Sequence, residues 1–391
     1  MERKHTFIYF LSAFANGLTV PFISLICLSH GATLTNLSLV ISVFAITVIL
    51  IEVPSGMISD MLGRKYIFVM SQFILTLCYV CILFSKSWLW LIAAYVLKGI
   101  GIAFSSGSLE ALIVEEHVAC KGKEAMAEAN SLLLRLDCIG AALGALAGGM
   151  IGSLGENYTI LLLLRIGLGL FIAISSYFCI KESVSSKRSA EKRITVFNQI
   201  ELMRSTIKES DVVGIMMIVA FFYGSVVAMM ETYWQQDLLI LLSHKFQWIF
   251  GIVSCLGYAG AILGGRAGVR FGESGKKDRI YGILRISLPV SIALLGFSTR
   301  WYIFILLYFM VYYIIGVGDL LERNVLHGAV PNECRASMLS LYSLFIRGGG
   351  AMSAFISSGI VAMIGVNAIW AIVPGFVMMA YLVLFGIRKN R

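Results

Sequence analysis

The chain has 391 residues, of which 59% are hydrophobic and 14% are charged, and its mean hydropathy is +0.87. Because a typical soluble domain carries about 25% charged residues, this composition excludes a soluble globular protein. The net charge of +9 could suggest nucleic acid as a partner, but the bases concentrate in alternate loops between apolar segments. That distribution is typical of a protein that spans a lipid bilayer, and it leaves no role for nucleic acid.

Twelve apolar segments are long enough to cross a bilayer as helices, which takes about 20 residues each. They cover residues 6–28, 36–58, 66–84, 88–112, 131–153, 157–180, 211–234, 246–268, 279–297, 302–321, 338–363 and 367–387. The chain has only five prolines but 38 glycines, which favours long helices whose backbones approach closely. We therefore predict an all-α membrane protein with twelve transmembrane helices.

The basic residues predict which loops face the cytoplasm. They occur at Arg3 and Lys4, Arg64 and Lys65, Lys121 and Lys123, from Lys181 to Lys208, at Lys276, Lys277 and Arg279, at Arg323 and Arg335, and at Arg388, Lys389 and Arg391. The alternate loops contain only Lys86, Lys245 and Arg300. Because cytoplasmic loops carry the excess of Lys and Arg, we expect a multi-pass protein of a prokaryotic plasma membrane with both termini in the cytoplasm.

The longest polar stretch, residues 181–210, lies near the middle of the chain. It predicts an N-terminal six-helix bundle at 1–180, a cytoplasmic linker at 181–210 and a C-terminal six-helix bundle at 211–391. Within the linker, residues 194–207 fit an amphipathic surface helix or a plain solvated segment. Gly107-Ser108-Leu109-Glu110 has a counterpart in Gly318-Asp319-Leu320-Leu321-Glu322, so we expect the two bundles to be pseudo-symmetric.

Ionisable side chains inside the predicted helices are costly in lipid and are therefore functional candidates. At a rise of about 1.5 Å per residue, Lys98, Arg165 and Arg347 fall near the middle of the membrane, Glu52, Arg135, Asp137 and Arg285 in its inner third, and Glu231 toward the outside. Lys98 and Asp137 lie at similar depth on consecutive helices, which are commonly neighbours, so they fit a buried ion pair. Alternatively, Asp137 or Glu52 couples transport to protons, because a desolvated carboxylate can bind and release a proton near neutral pH.

Several polar side chains inside the predicted helices are candidates for lining a substrate cavity, namely Asn16, Lys98, Glu231, Trp234 and Gln235. Glu231 and Gln235 lie four residues apart, on one face of a helix. Trp234 alone would fit an aromatic belt at the membrane interface, but a belt does not require the neighbouring carboxylate and amide. Asn16 either lines the cavity or bonds a neighbouring helix.

A dense polar turn, Gly56-Met57-Ile58-Ser59-Asp60-Met61-Leu62-Gly63-Arg64-Lys65, separates the second and third apolar segments. Its acid suits the N-terminal end of a neighbouring helix, and its bases suit a C-terminal end. The segment resembles the signature loop G-x-x-x-D-x-x-G-R-K of the major facilitator superfamily of transporters, with every specified position present. The resemblance implies that Gly56, Asp60, Gly63, Arg64 and Lys65 form a conformational latch.

Two further motifs resemble this family less completely. Gly140, Gly144, Gly148 and Gly149 look like the antiporter motif g-x-x-x-G-P-x-x-G-G of the fifth helix, with Ala145 at the proline position. On the fourth helix, Tyr95-Val96-Leu97-Lys98-Gly99 aligns with the pattern R-x-x-Q-G, whose arginine is associated with proton coupling. Because tyrosine replaces that arginine, Lys98 becomes the candidate for supplying the positive charge.

No enzyme signature is present, since the sequence lacks a P-loop, a nucleophile elbow and a zinc-protease motif, and we expect neither a cofactor nor a bound metal. Without an ATP site, uphill transport must use an ion gradient. The resemblance, which extends to bacterial drug-efflux members, implies a monomeric secondary active transporter that exports small amphipathic compounds or drugs in exchange for protons by alternating access. The alternatives are proton-linked transport of an anionic or zwitterionic metabolite, which the bases Lys98, Arg165 and Arg347 would suit, and a non-transporting membrane sensor on the same scaffold.

Overall fold

The computed structural model describes residues 3–122, 125–154, 156–180, 204, 206–207, 210–272, 277–330 and 335–389. At residues 53, 57, 60, 127, 156, 277–278, 327, 335–337 and 386–389 it describes the backbone alone. Most of the predicted linker, including most of the segment 194–207, lies outside the described residues. Within the described ranges the secondary structure is helical, with turns between helices and no strand.

The first half of the chain contains six membrane-length helices. They are α1 (Arg3–Thr19, resuming at Ile23–Ser29), α2 (Leu34–Leu62), α3 (Arg64–Leu83), α4 (Trp88–Ser105, resuming at Leu109–Lys121), α5 (Met126–Gly152) and α6 (Thr159–Cys179). The interruption of α1 is a 3₁₀ turn at Val20–Phe22 that contains Pro21. Proline causes it because the ring removes an amide donor and clashes with the preceding turn.

The second half contains six more, which are α7 (Asp211–Leu241), α8 (Ile249–Gly272), α9 (Lys277–Gly296), α10 (Trp301–Ala329), α11 (Arg335–Ile364) and α12 (Val366–Lys389). In the described part of the chain, twelve helices are long and apolar enough to cross a membrane. This count confirms the predicted fold class of an all-α protein with twelve transmembrane helices.

The helices extend beyond several of the apolar segments that predicted them. The fourth segment, predicted to end at 112, instead breaks after Ser105 and continues as a second helix to Lys121. Gly107 has a φ of +71° at the break, a left-handed conformation that glycine adopts without a Cβ clash. The break was not predicted because hydropathy reports burial in lipid and carries no information about a single reversed backbone dihedral.

The chain divides into two compact units, one of Met1–Ala190 with His244–Cys255 and the other of Glu191–Ser243 with Leu256–Arg391. In the first unit, α1 packs along α5 and α6, and α3 packs along α4 and α6. In the second unit, α7 packs along α11 and α12, and α9 packs along α10 and α12. Adding six to the helix numbers of each pair in the first unit gives the corresponding pair in the second unit. This correspondence is the pseudo-symmetry that the similar segments of the two halves predict.

Candidate functional site

The turn between α2 and α3 is made by one residue, Gly63. Its φ of +98° and ψ of +141° lie in a region that is open in practice to glycine alone. Its amide donates to the Ser59 carbonyl oxygen at 3.0 Å, which closes the last turn of α2. Gly56 differs, because it lies inside α2 and a Cβ added there would meet nothing within 4 Å.

The two bases of the polar turn contact side chains of the same unit. Arg64 Nη1 lies 2.8 Å from Glu115 Oε1 on the second segment of α4. Lys65 Nζ lies 5.2 Å from the centre of the Tyr177 ring of α6, within range of a cation–π interaction. These contacts anchor the start of α3 to α4 and α6. The Asp60 side chain lies outside the described part of the structure.

The glycines of α5 allow its backbone to touch that of α1. An added Cβ would lie 2.8 Å from a carbonyl oxygen of α1 at Gly140, 2.1 Å at Gly144 and 2.0 Å at Gly148. At Gly149 it would lie 2.5 Å from the Cα of Gly251, which belongs to the same unit. The four motif glycines are therefore required for helix approach, whatever their role in antiport.

Asn16 bonds a neighbouring helix. Its Oδ1 accepts a hydrogen bond of 3.1 Å from Arg165 Nη2 of α6. Arg165 is 1% exposed, and its guanidinium lies 4.6 Å from the centre of the Tyr79 ring. Within the described ranges no carboxylate forms an ion pair with Arg165, so the ring face and the Asn16 amide are its main polar surroundings.

Lys98 does not form the expected ion pair with Asp137 among the described residues. Its Nζ lies 4.9 Å from the centre of the Tyr95 ring and 5.5 Å from that of Phe44. The prediction was wrong because the first segment of α4, which carries Lys98, packs on α2 and α3 and not on α5. Tyr95, at the position of the motif arginine, is hydrogen-bonded to Cys27 Sγ at 3.0 Å.

Asp137 lies beside a cavity of about 70 Å³ in the first unit. The polar residues of its lining include Tyr9, Ser12, Asn16, Glu110 and Asp137. The Tyr9 hydroxyl donates to Glu110 Oε1 at 3.1 Å, and Glu110 follows directly on the break in α4. In the described part of the chain neither carboxylate has an ion-pair partner.

Three other charges from the sequence prediction lie away from this cavity. Arg135 is exposed, and its Nε donates to the Ser131 carbonyl oxygen of its own helix at 3.2 Å. Glu52 is half-buried in α2, and Arg347 is half-buried in α11. Neither Glu52 nor Arg347 is among the residues that line the cavity beside Asp137.

The candidate residues of α7, which are Glu231, Trp234 and Gln235, are packed inside the second unit. The Tyr312 hydroxyl of α10 donates to the Glu231 carboxylate, and the Trp234 ring lies 4.7 Å from the Tyr308 ring. Trp234 and Gln235 are 0% and 1% exposed. This burial excludes an interfacial belt for Trp234, because a belt residue faces lipid headgroups. A substrate would reach these side chains only if the surrounding helices moved apart.

A second charge cluster in this unit was not predicted as a site. Arg285 of α9 pairs with Glu322 of α10, and both side chains are 1% exposed. The Tyr281 hydroxyl donates to Glu322 Oε1 at 2.6 Å, and the Tyr342 hydroxyl of α11 donates to the other carboxylate oxygen. The Arg285 guanidinium also lies 4.5 Å from the centre of the Tyr223 ring.

The signal for this cluster was present in the sequence. By its position along the chain, Arg285 lies in the inner third of the membrane. Glu322 belongs to the segment Gly318–Glu322, which is the counterpart of Gly107–Glu110. In the structure both glutamates accept a hydrogen bond from a tyrosine of another helix. Glu322 also lines a cavity of about 120 Å³ together with Tyr281 and Asn324.

Two units of membrane-length helices, related pair by pair and each with polar groups in its interior, define a multi-pass membrane protein. Residues 6–241 match the family model of the Major Facilitator Superfamily, and the chain belongs to this family. A comparison with curated proteins gave no match.

Solved structures of transporters share this fold. The nucleoside transporter NupG has a TM-score of 0.80 at 12% identity, covering 98% of this chain and 98% of that chain. A bacterial homolog of the human lysosomal transporter Spinster has a TM-score of 0.74 at 13% identity, covering 98% and 94%. The human organic anion transporter MFSD10 has a TM-score of 0.66 at 14% identity, covering 98% and 99%. At these identities the likeness establishes the fold alone.

Proposed function

We propose that the chain is a secondary active transporter of a prokaryotic plasma membrane that exports small amphipathic compounds or drugs in exchange for protons. It works as a monomer, exposing its binding site alternately to the two sides of the membrane, with both termini in the cytoplasm. Family membership supports transport, and the distribution of bases supports the orientation.

The cluster around Glu322 is the observation that carries proton coupling. Its carboxylate is shared by Arg285 and two tyrosine hydroxyls, and it lines a cavity. Protonation of Glu322 would cancel its attraction for Arg285 and leave a buried guanidinium in need of another partner. Because the cluster joins α9, α10 and α11, such a change of partners would move these helices relative to one another. Of the residues predicted for proton coupling, Asp137 lines the cavity of the first unit. Glu52 and Lys98 are further candidates for proton coupling.

The nature of the substrate is supported by the same cavity. Its lining combines apolar side chains such as Met216 and Phe385 with the polar groups of Tyr281, Asn324 and Glu322, which suits an amphipathic compound. Export rather than import is supported by the glycines of α5, which resemble the antiporter motif.

Purified full-length protein in proteoliposomes tests this function. The probe is an amphipathic dye with a fixed quaternary charge and an aminoalkyl group, because the fixed charge prevents passive leakage. Dye flux should run opposite to an imposed proton gradient and should stop when a protonophore removes the gradient. Glu322→Gln should abolish the response to the gradient, and Asp60→Asn should slow it.

Glu128→Gln is the matched control, because Glu128 pairs with Lys121 at an exposed position, with 2.8 Å between the charged atoms. Its dye flux should equal that of the unmodified protein. Dye flux that is insensitive to the proton gradient would contradict proton coupling. No flux of any compound through folded protein would favour the non-transporting sensor.

One observation favours a second substrate class. Arg165 is buried, and its Nε and Nη1 have no hydrogen-bond partner among the described residues. Uncompensated positive charge in the membrane suits an anionic or zwitterionic metabolite, and NupG and MFSD10 are described as transporters of nucleosides and organic anions. Proton-linked flux of organic anions in place of the dye, lost in Lys98→Ala, would favour this function.

A further inference from the structure

The cavity lined by Tyr9, Ser12, Asn16, Glu110 and Asp137, here named the acidic cavity, has an unbalanced charge. Glu110 and Asp137 come from different helices, and both residues are exposed. Neither forms an ion pair within the described ranges. Two carboxylates that share a small pocket attract a cation, since each raises the cost of the other's charge.

Ser12 provides a second and independent observation. Its side chain lines the acidic cavity although the residue is only 7% exposed. No hydrogen bond of its hydroxyl occurs among the described residues. Because buried hydroxyl groups are normally hydrogen-bonded, this hydroxyl is available to a molecule that enters the cavity.

The hydrogen bonds already made determine what such a molecule must offer. Tyr9 donates its hydroxyl proton to Glu110 Oε1, and the Asn16 Oδ1 accepts from Arg165. Apart from the Asn16 amide nitrogen, the groups left without a partner are the remaining oxygens of Glu110 and Asp137 and the hydroxyls of Ser12 and Ser105, all of which can accept. The cavity therefore suits a positively charged group with several hydrogen-bond donors.

Size restricts that group further. The cavity volume is about 70 Å³, well below the roughly 300 Å³ of the smallest pockets that enclose a drug-sized ligand. An ammonium group with an adjoining methylene fits this space, whereas the body of a drug-sized molecule must remain outside it.

We propose that the acidic cavity binds the primary ammonium group of the transported substrate. Glu110 and Asp137 balance its charge, and the Ser12 hydroxyl accepts one of its hydrogen bonds. The inference rests on the proposed function, because it names the substrate class as amphipathic primary amines.

Thiol labelling of the full-length Ser12→Cys variant tests the site without requiring transport. Peptide mass spectrometry measures the label on the introduced thiol, separately from the native cysteines. The reagents are 2-aminoethyl methanethiosulfonate, which carries an ammonium group, and 2-sulfonatoethyl methanethiosulfonate, which carries a sulfonate. The ratio of their rates should exceed the ratio on a small free thiol by about tenfold, which corresponds to an electrostatic preference of about 1.4 kcal/mol.

In the Ser12→Cys protein, a second substitution, Glu110→Gln or Asp137→Asn, should lower the ratio of the two labelling rates. Glu115→Gln should leave that ratio unchanged. Glu115 is the matched control, because it lies on the same segment of α4 but pairs with Arg64. Hexylammonium should slow the labelling, and hexanesulfonate or sodium at the same ionic strength should not. A ratio equal to that of the free thiol, or protection by sodium alone, would overturn the proposal.

Unmodified protein provides a second measurement that does not depend on folding of the variant. Hexylammonium should raise its thermal unfolding midpoint, hexanesulfonate should not, and an equal effect of both would contradict the site. A selective cavity in a protein that moves no dye would disprove the transport function and leave the cation site. Dye transport with a labelling ratio equal to that of the free thiol would disprove the cation site and leave the transport function.

Discussion

Single residues show how this protein tolerates charge in its interior. Arg285 and Glu322 are each 1% exposed, and tyrosine hydroxyls satisfy the carboxylate oxygens that the ion pair leaves open. A buried pair is a weak source of stability, but removing one partner leaves the other charged and alone. The pair is therefore expected to respond very differently to single and double substitution.

Glu322→Gln and Arg285→Met should each destabilise the full-length protein by about 3–5 kcal/mol, because each leaves one buried polar partner unpaired. The double variant should lose much less than the sum of the two. Unfolding midpoints in detergent measure this coupling. The matched exposed pair, Lys121 and Glu128, should show almost none, since exposed pairs are screened by solvent. Strict additivity at Arg285 and Glu322 would show that the pair does not form.

The polar turn between α2 and α3 allows a second test at the residue scale. Gly63→Ala should cost about 1–3 kcal/mol, because alanine does not tolerate the backbone conformation at this position. Gly56→Ala should be neutral or stabilising by up to about 1 kcal/mol, since it lies in a helix with free space around it. Equal stability of the two variants would contradict the turn geometry. If Gly56→Ala lost dye flux while remaining stable, the latch role would gain support.

At the scale of the helices, glycines set how closely the main pairs approach. In the second unit, an added Cβ at Gly349 of α11 would lie 1.8 Å from the Phe221 carbonyl oxygen of α7. This is the counterpart of Gly144 of α5 against α1, where the distance is 2.1 Å. The repeated pair shows that both units bring these helices into backbone contact at a glycine.

Gly144→Ala and Gly349→Ala should each destabilise the protein by about 1–3 kcal/mol, because the added methyl group forces two backbones apart. Gly167→Ala in α6 and Gly359→Ala in α11 are the controls, since an added Cβ there would meet nothing within 4 Å. Those two should be neutral or stabilising by up to about 1 kcal/mol. Unfolding midpoints of the four variants in detergent decide the matter, and equal shifts would contradict the packing.

The helices also show where sequence reasoning succeeds and where it stops. Apolar length predicts each span, because the bilayer imposes it locally. Helix neighbours are not local information, so the sequence does not show that the first segment of α4, with Lys98, packs on α2 and α3 rather than on α5. Glu322 was missed for the same reason, since its partners come from α9 and α11. The glycine at 63 could be anticipated from the polar turn, whereas the break at Gly107 could not.

For the molecule as a whole, the chain of 391 residues has its bases in alternate loops. Pseudo-symmetry of the two units follows from repeated helix pairs, but sidedness depends on the positive-inside rule. Green fluorescent protein fused after Arg391 should fluoresce in cells, whereas alkaline phosphatase fused after Lys245 should be active. Active phosphatase at the C-terminus would reverse the orientation and, with it, the meaning of export.

The central claim is that substrate and protons move in opposite directions. Proteoliposomes that contain a pH indicator and an outward gradient of the quaternary aminoalkyl dye, with equal starting pH on both sides, measure this exchange directly. As dye leaves, the interior should acidify in vesicles with the unmodified protein, and Glu322→Gln should abolish the acidification. Dye efflux through unmodified protein without any change of internal pH would contradict the account.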